Sequence, residues 1–182
     1  GGRIMLKSFD ELIQVDVKPF CDLRDAKDEK GNVIKVPYLS WAKCAKLLHE
    51  NGASSVWYAP RRCPETNTYL WPQAKITTSK GRTTECWFVS VEIHIDDLEF
   101  SYDMPLLNGS LVVYEDTLNQ LRINNALARA FVKGVAVRTG LGFDLWAEGD
   151  GDDGEDDLSR QRVAYMEDRA ISDGSEVMVY GE

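Results

Sequence analysis

The chain has 182 residues, 43% of them hydrophobic, and a formal net charge of −9, which fits one domain with one core and needs no staples. With no apolar run of about 18 residues, and none of the uninterrupted apolar stretch of a secretory signal among the first 20, a membrane partner is not expected and a soluble, cytoplasmic protein is. The charge divides into a body over 1–146 with 18 acids and 18 bases, and a tail over 147–182 with 12 acids and 3 Arg, so an acidic total does not exclude nucleic acid, which responds to local field.

After Gly1-Gly2, which reads as a tag remnant, residues 5–17 form a short amphipathic element. Ser8 can cap it, and Glu11 completes a capping box. "RDAKDEKGN" reads as a loop or hairpin tip. "PYLSWAKCAKLLHENG" predicts a helix over 41–50, with Ser40 as N-cap, apolar Trp41, Cys44, Ala45 and Leu48 on one face, and Gly52 as the stop.

From 54 to 104 the period becomes two. "SSVWYAP" reads as a strand, and 68–85 as two strands or one arm with its tip near Ser79-Lys80-Gly81. In 86–95, Trp87, Val89, Val91, Ile93 and Ile95 share one face, while Ser90, Glu92 and His94 share the other. Asp96-Asp97 then leads into the alternating Leu98, Phe100, Tyr102 and Met104, which predicts a hairpin with one buried face. A helix follows over about 117–139, started by Asp116 or Thr117 and stopped by Gly140. Its core side is Ile123, Ala126, Leu127, Ala130, Phe131 and Val137. The "AEGDGDDGEDD" run opens a tail expected to be flexible; near "SRQRVAYMED" it has weak amphipathic character. The fold class is α+β.

On the second helix Arg122, Arg129 and Lys133 sit at offsets 0, 7 and 11, within about 40° of one another. Such a stripe suits phosphates, although long helices also expose cations as plain solvated surface. Further cations are Lys43, Lys46, Arg61, Arg62, Lys75, Lys80 and Arg82, interleaved with Trp41, Trp57, Tyr58, Tyr69 and Trp71. Cations that follow a backbone and rings that stack on bases together suit single-stranded nucleic acid, with Trp57 and Tyr58 as the stacking residues. Trp41 and Trp87 are expected in the core.

The cysteines, Cys21, Cys44, Cys63 and Cys86, lie 23, 19 and 23 residues apart with no C-x-x-C pair, which favours reduced thiols over a zinc site. The acidic run fails the EF-hand register, because the fifth position from Asp150 is Gly154 and no Gly follows it. A P-loop, G-x-S-x-G, H-E-x-x-H and a Gly-rich dinucleotide turn are all missing. Binding fits better than catalysis.

Three ordered blocks, "YLSWAKCAKLL" at 38–48, "MPLLNGS" at 104–110 and "INNALARAFVKGVAVRTGLGFDLWAEGD" at 123–150, resemble the single-strand annealing proteins of bacteriophages, in the Sak-like branch. The resemblance implies a fold similar to the eukaryotic Rad-type annealing domain: a curved antiparallel sheet packed on a long helix. It further implies side-by-side protomers in rings or filaments, single-stranded DNA in a positive groove, and annealing in phage recombination without ATP, in the cytoplasm of a bacterial host. No cofactor is implied beyond a modulatory divalent metal; a host or phage single-strand-binding protein or exonuclease is a further partner. Arg129 and Lys133 fall on the family helix's basic positions. "NNALARAF" and the longer arm at 60–84 depart from the family pattern.

Residues 1–146 would then be the annealing and oligomerisation domain. The alternative is an oligomeric nucleic-acid-binding accessory protein that recruits a partner through its acidic tail without annealing. A metal-dependent nuclease using Glu92, Asp96 and Asp97 or the tail acids is the enzymatic competitor.

Overall fold

The computed structural model describes residues 5–28, 30–108 and 111–147. The tail expectations over 148–182 therefore lie outside the described residues. The fold is α+β, with antiparallel sheets and a helix packed on the largest of them.

At the N-terminus α1 (Phe9–Leu12) is capped by Ser8 as its sequence predicts, Ser8 Oγ accepting from the Glu11 amide at 3.4 Å, but the Glu11 carboxylate accepts from the Ser8 hydroxyl, at 3.3 Å, and not from the Ser8 backbone amide that a capping box requires. Strands β1 (Asp22–Lys27) and β2 (Val33–Tyr38) follow as a hairpin. The first four residues of "RDAKDEKGN", 24–27, are therefore strand, and the rest of the run lies at the hairpin tip. Asp28 makes that tip, its Oδ1 accepting from the Asn32 and Lys30 amides at 2.8 and 2.9 Å while Gly31 takes φ 82°. Next, α2 (Trp41–Glu50) begins where Ser40 Oγ accepts from the Lys43 amide at 3.2 Å, and it buries Cys44, Leu47 and Leu48.

The main sheet is organised on β5 (Thr83–Ile95), 13 residues long. Strands β3 (Val56–Pro60) and β4 (Trp71–Thr77) pair successively along one edge of β5, at 91–95 and 83–88; β6 (Leu98–Pro105) pairs along the other at 88–95. The alternation read from sequence sets the register. Val89, Val91, Ile93 and Ile95 are all buried, and they face Met104, Tyr102, Phe100 and Leu98 of β6. The two-residue turn holds because Asp96, at φ 52°, accepts the Ser54 and Ser55 amides on Oδ1, both at 2.9 Å. A short pair, β7 (Leu107–Asn108) and β8 (Leu111–Val112), leads to a 3-10 turn at Glu115–Thr117.

Helix α3 (Gln120–Thr139) starts three residues later than the sequence reading placed it. Asn119 is the cap, accepting from the Arg122 amide at 2.9 Å, and Asp116 and Thr117 belong to the separate 3-10 turn. The helix lies across the inner face of β5 and β6 and touches α1, α2 and α4 (Phe143–Ala147) as well. It is consequently buried far round its circumference, Ala128 and Val132 as well as Ala130, Phe131 and Val135. Phe131, 1% exposed, stacks on Tyr58 with ring centroids 4.6 Å apart; burying such a ring contributes about 1.5–3 kcal/mol. Small residues permit these close approaches. A Cβ on Gly134 would come within 2.6 Å of Ile93 Cδ1 and 2.9 Å of Tyr102 Cβ.

Two core assignments are corrected. Val137 is 48% exposed, on the outward arc of α3, and Trp41 is 51% exposed. Trp41 opens α2 at its first residue and meets Tyr58 only edge-on, at 6.3 Å. Trp87 is half-buried against the core.

Candidate nucleic-acid interface

Three elements converge beside the middle of α3. From the helix, Arg129 and Lys133 rise one turn apart. From α4, Trp146 brings its ring beside both, the Arg129 guanidinium carbon 5.1 Å and the Lys133 Nζ 5.0 Å from its centroid, within range of a cation–π attraction. From the hairpin root, Tyr38 and Pro37 close a cavity of about 40 Å³ against Arg129, Val132 and Trp146. Arg24, on the same hairpin face as Tyr38, lies over the Tyr38 ring at 3.5 Å. Three cations and two half-buried aromatic rings therefore share one surface, and Gly140, at φ 90°, makes the sharp turn that brings α4 back onto α3.

The other predicted residues lie elsewhere. Arg122 is used at the start of α3, where its guanidinium donates to the Thr117 carbonyl, so the stripe is divided between a capping role and the Trp146 surface. On α2, Lys43 pairs with Asp22 at 2.8 Å and ties that helix to β1, while Lys46 is exposed. The Lys43 hydrogen bond and charge hold the Asp22 carboxyl below its usual range. Arg82 is committed to Asp116 at 2.7 Å and lies over Tyr114 at 3.6 Å. Together with Lys75 it lines a second cavity, of about 490 Å³, beside the 3-10 turn. Lys80 sits in the exposed turn between β4 and β5.

The sheet's outer face holds a further group. Arg61 donates to Ser90 Oγ at 3.0 Å and lies 5.1 Å from the Trp71 centroid, while the Trp71 indole donates to the Arg61 carbonyl at 3.1 Å. Arg62 donates to the Asn67 carbonyl at 2.8 Å and lies over Tyr69 at 4.9 Å. Trp57, 47% exposed, stacks on His94 at 3.6 Å, and His94 Nδ1 meets Glu99 at 3.2 Å. Tyr58 does not accompany it. Successive strand residues point to opposite faces, and Tyr58 goes inward to Phe131, where burial raises its pKa.

The twelve sequence-nominated residues thus occupy several surfaces, and Arg129 and Lys133 are the pair set in a shared cation–aromatic cluster with two other elements. Sequence reasoning missed Arg24 and Tyr38, and it used Trp146 only as a boundary. Tyr38 opens the first quoted block and Trp146 lies in the third, but nothing in either block signals that they meet.

The four cysteines are free, Cys44 being fully buried with its thiol pushed up to about 12. Among the described residues no cluster of three or more His, Cys, Asp or Glu could hold a metal ion, and no helix is long and apolar enough to cross a membrane. Compared with family models, curated proteins and solved structures, the chain gives no match.

Proposed function

We propose that this protein binds single-stranded DNA and anneals complementary strands without ATP, as a phage-type recombination protein acting in the host cytoplasm. The observation that carries the reading is the cluster at α3: Arg129 and Lys133 beside Trp146, with Arg24 on Tyr38 across a small cavity. Cations can follow the backbone while rings meet bases without regard to sequence, leaving pairing edges outward. Neutralising backbone charge lowers the repulsion between two strands, and base pairing then drives the reaction. No bond is made or broken by the protein, so no catalytic residue and no resident cofactor enter the proposal.

The resemblance of the three sequence blocks to Sak-like annealing proteins supports the same reading. It extends it to a curved sheet on a long helix, to rings or filaments of side-by-side copies, and to a single-strand-binding protein or exonuclease as partner. The test is the annealing of two complementary, dye-labelled oligonucleotides with no nucleotide or metal added. Acceleration that grows with protein concentration and disappears at high salt is expected. A folded preparation that binds single strands yet leaves the spontaneous rate unchanged would remove annealing from the proposal.

A further inference from the structure

The two outer edges of the main sheet carry unlike charge. Among the described residues β3 and β6 each pair with β5 alone, so each keeps one free edge. The phase of the ladder tells which groups those edges present. The Arg61 amide donates to the Ser90 carbonyl at 2.8 Å, and the Leu106 amide to the Trp87 carbonyl at 2.9 Å. An antiparallel ladder turns the main-chain groups of alternate residues toward its partner. Val56, Tyr58 and Pro60 of β3, and Glu99, Ser101 and Asp103 of β6, therefore direct theirs away from β5. Both strands run antiparallel to β5 and so parallel to each other. On the outer face one row crosses the sheet from Trp57 through His94 to Glu99, and another from Arg61 through Ser90 to Asp103. Arginines 61 and 62 thus mark the β3 side, and the exposed acids Glu99 and Asp103 mark the β6 side.

We propose that the β6 edge of one copy of this chain pairs in parallel with the β3 edge of the next, Phe100 level with Tyr58. That register sets Asp103 across from Arg61 and Glu99 across from Trp57, whose ring is 47% exposed in the single chain. Main-chain hydrogen bonds hold the contact, and charge selects the partner. Two β6 edges repel each other through their acids, two β3 edges through their arginines, and only unlike edges attract. Such a contact is heterologous: each copy uses one edge per neighbour, and the row grows until it closes into a ring or coils into a filament. The inference rests on the side-by-side copies in the reading above and not on annealing.

The experiment reads the mass of the full chain in solution by sedimentation, without nucleic acid, with circular dichroism to show that each variant is folded. The wild type should be a multimer, and a monomer at every concentration overturns the pairing. Asp103→Lys sets like charges against each other at every contact, as does Arg61→Glu combined with Arg62→Glu. Each of these proteins alone should lose the multimer. Their equimolar mixture should recover it, because each altered edge then meets one of opposite charge. Ser101→Pro removes an N–H that β5 does not use, a position where an edge strand tolerates proline; it should also lose the multimer, and mixing should not restore it. Should the arginine variant fail to fold, Asp103→Lys and Ser101→Pro decide the matter between them. Variants as large as the wild type, or a mixture of folded proteins no larger than its components, overturn the edge pairing. Annealing is read separately on the wild type, so a multimer built on these edges that leaves the annealing rate unchanged sinks the functional reading alone.

Discussion

Replacing Gly134 with alanine sets helix propensity against packing. In an exposed helix interior alanine is favoured over glycine by about 1 kcal/mol, so from sequence alone Gly134→Ala should stabilise α3. In the structure the new Cβ would lie 2.6 Å from Ile93 Cδ1 and 2.9 Å from Tyr102 Cβ, where carbon atoms prefer about 3.5–4.0 Å. The Ile93 methyl is the far end of a flexible side chain and can turn away. Tyr102 Cβ is fixed to the β6 backbone, so α3 itself must lift by about 0.5–1 Å, loosening the packing of Phe131 and Val135. Overpacking of this kind costs about 1–3 kcal/mol. After the propensity gain the net is a loss of up to about 2 kcal/mol, and at about 2–4 °C per kcal/mol for a chain of this size the Tm falls by several degrees. Asn125→Ala, on an exposed part of the same helix, supplies the propensity effect alone and should raise it slightly. Urea and thermal unfolding of the three proteins decide the matter. A Gly134→Ala protein as stable as Asn125→Ala would refute the close approach of α3 to the sheet.

Two further outcomes are expected. Arg129→Ala combined with Lys133→Ala should flatten the plot of log affinity for single strands against log salt by about 1.4, at roughly 0.7 for each phosphate no longer neutralised; Arg61→Ala with Arg62→Ala, on the outer sheet face, should leave that slope unchanged if the α3 surface is the binding site, and the opposite pattern would transfer it to the sheet. Asp22→Asn should cost stability only where Asp22 is ionised: its folded pKa is depressed by Lys43, so the contribution is present above the unfolded value, about 4, and is lost as pH falls through the folded one. Unfolding midpoints of the two proteins should then converge in acid, and a gap that persists there would show that the pair with Lys43 is not its cause.

The readable parts of the fold were those whose forces are local. Ser40 and Gly52 bracket α2 because caps act within a few residues, and the alternation in 86–104 set the pairing of β5 with β6 because one face had to be buried. Where several elements share one surface, the pattern gave out. The α3 sequence was read as a single apolar face with cations beside it, but α1, α2 and α4 cover further sides, and the only trace of this is its density of Ala and Gly. Trp41 fits the helical period and is still half exposed, since at the first residue of α2 it meets Tyr58 only edge-on. The candidate site was half legible: Arg129 and Lys133 follow from helical spacing, whereas their meeting with Arg24, Tyr38 and Trp146 depends on chain returns that spacing does not encode.

Among the described residues, β1 and β2 pair only with each other, and the hairpin leaves Leu23, Val33 and Ile34 exposed at 67%, 62% and 41%. A two-stranded ribbon is marginal by itself, and this one is held at its root by the Lys43–Asp22 pair and Tyr38. Its ladder amides should exchange with deuterium at a small opening free energy, while those of β5 and α3 wait for global unfolding. Any molecule gripped between Arg24 and α3 would close that difference, so the protection of the β1–β2 amides is a built-in gauge of occupancy that needs no label.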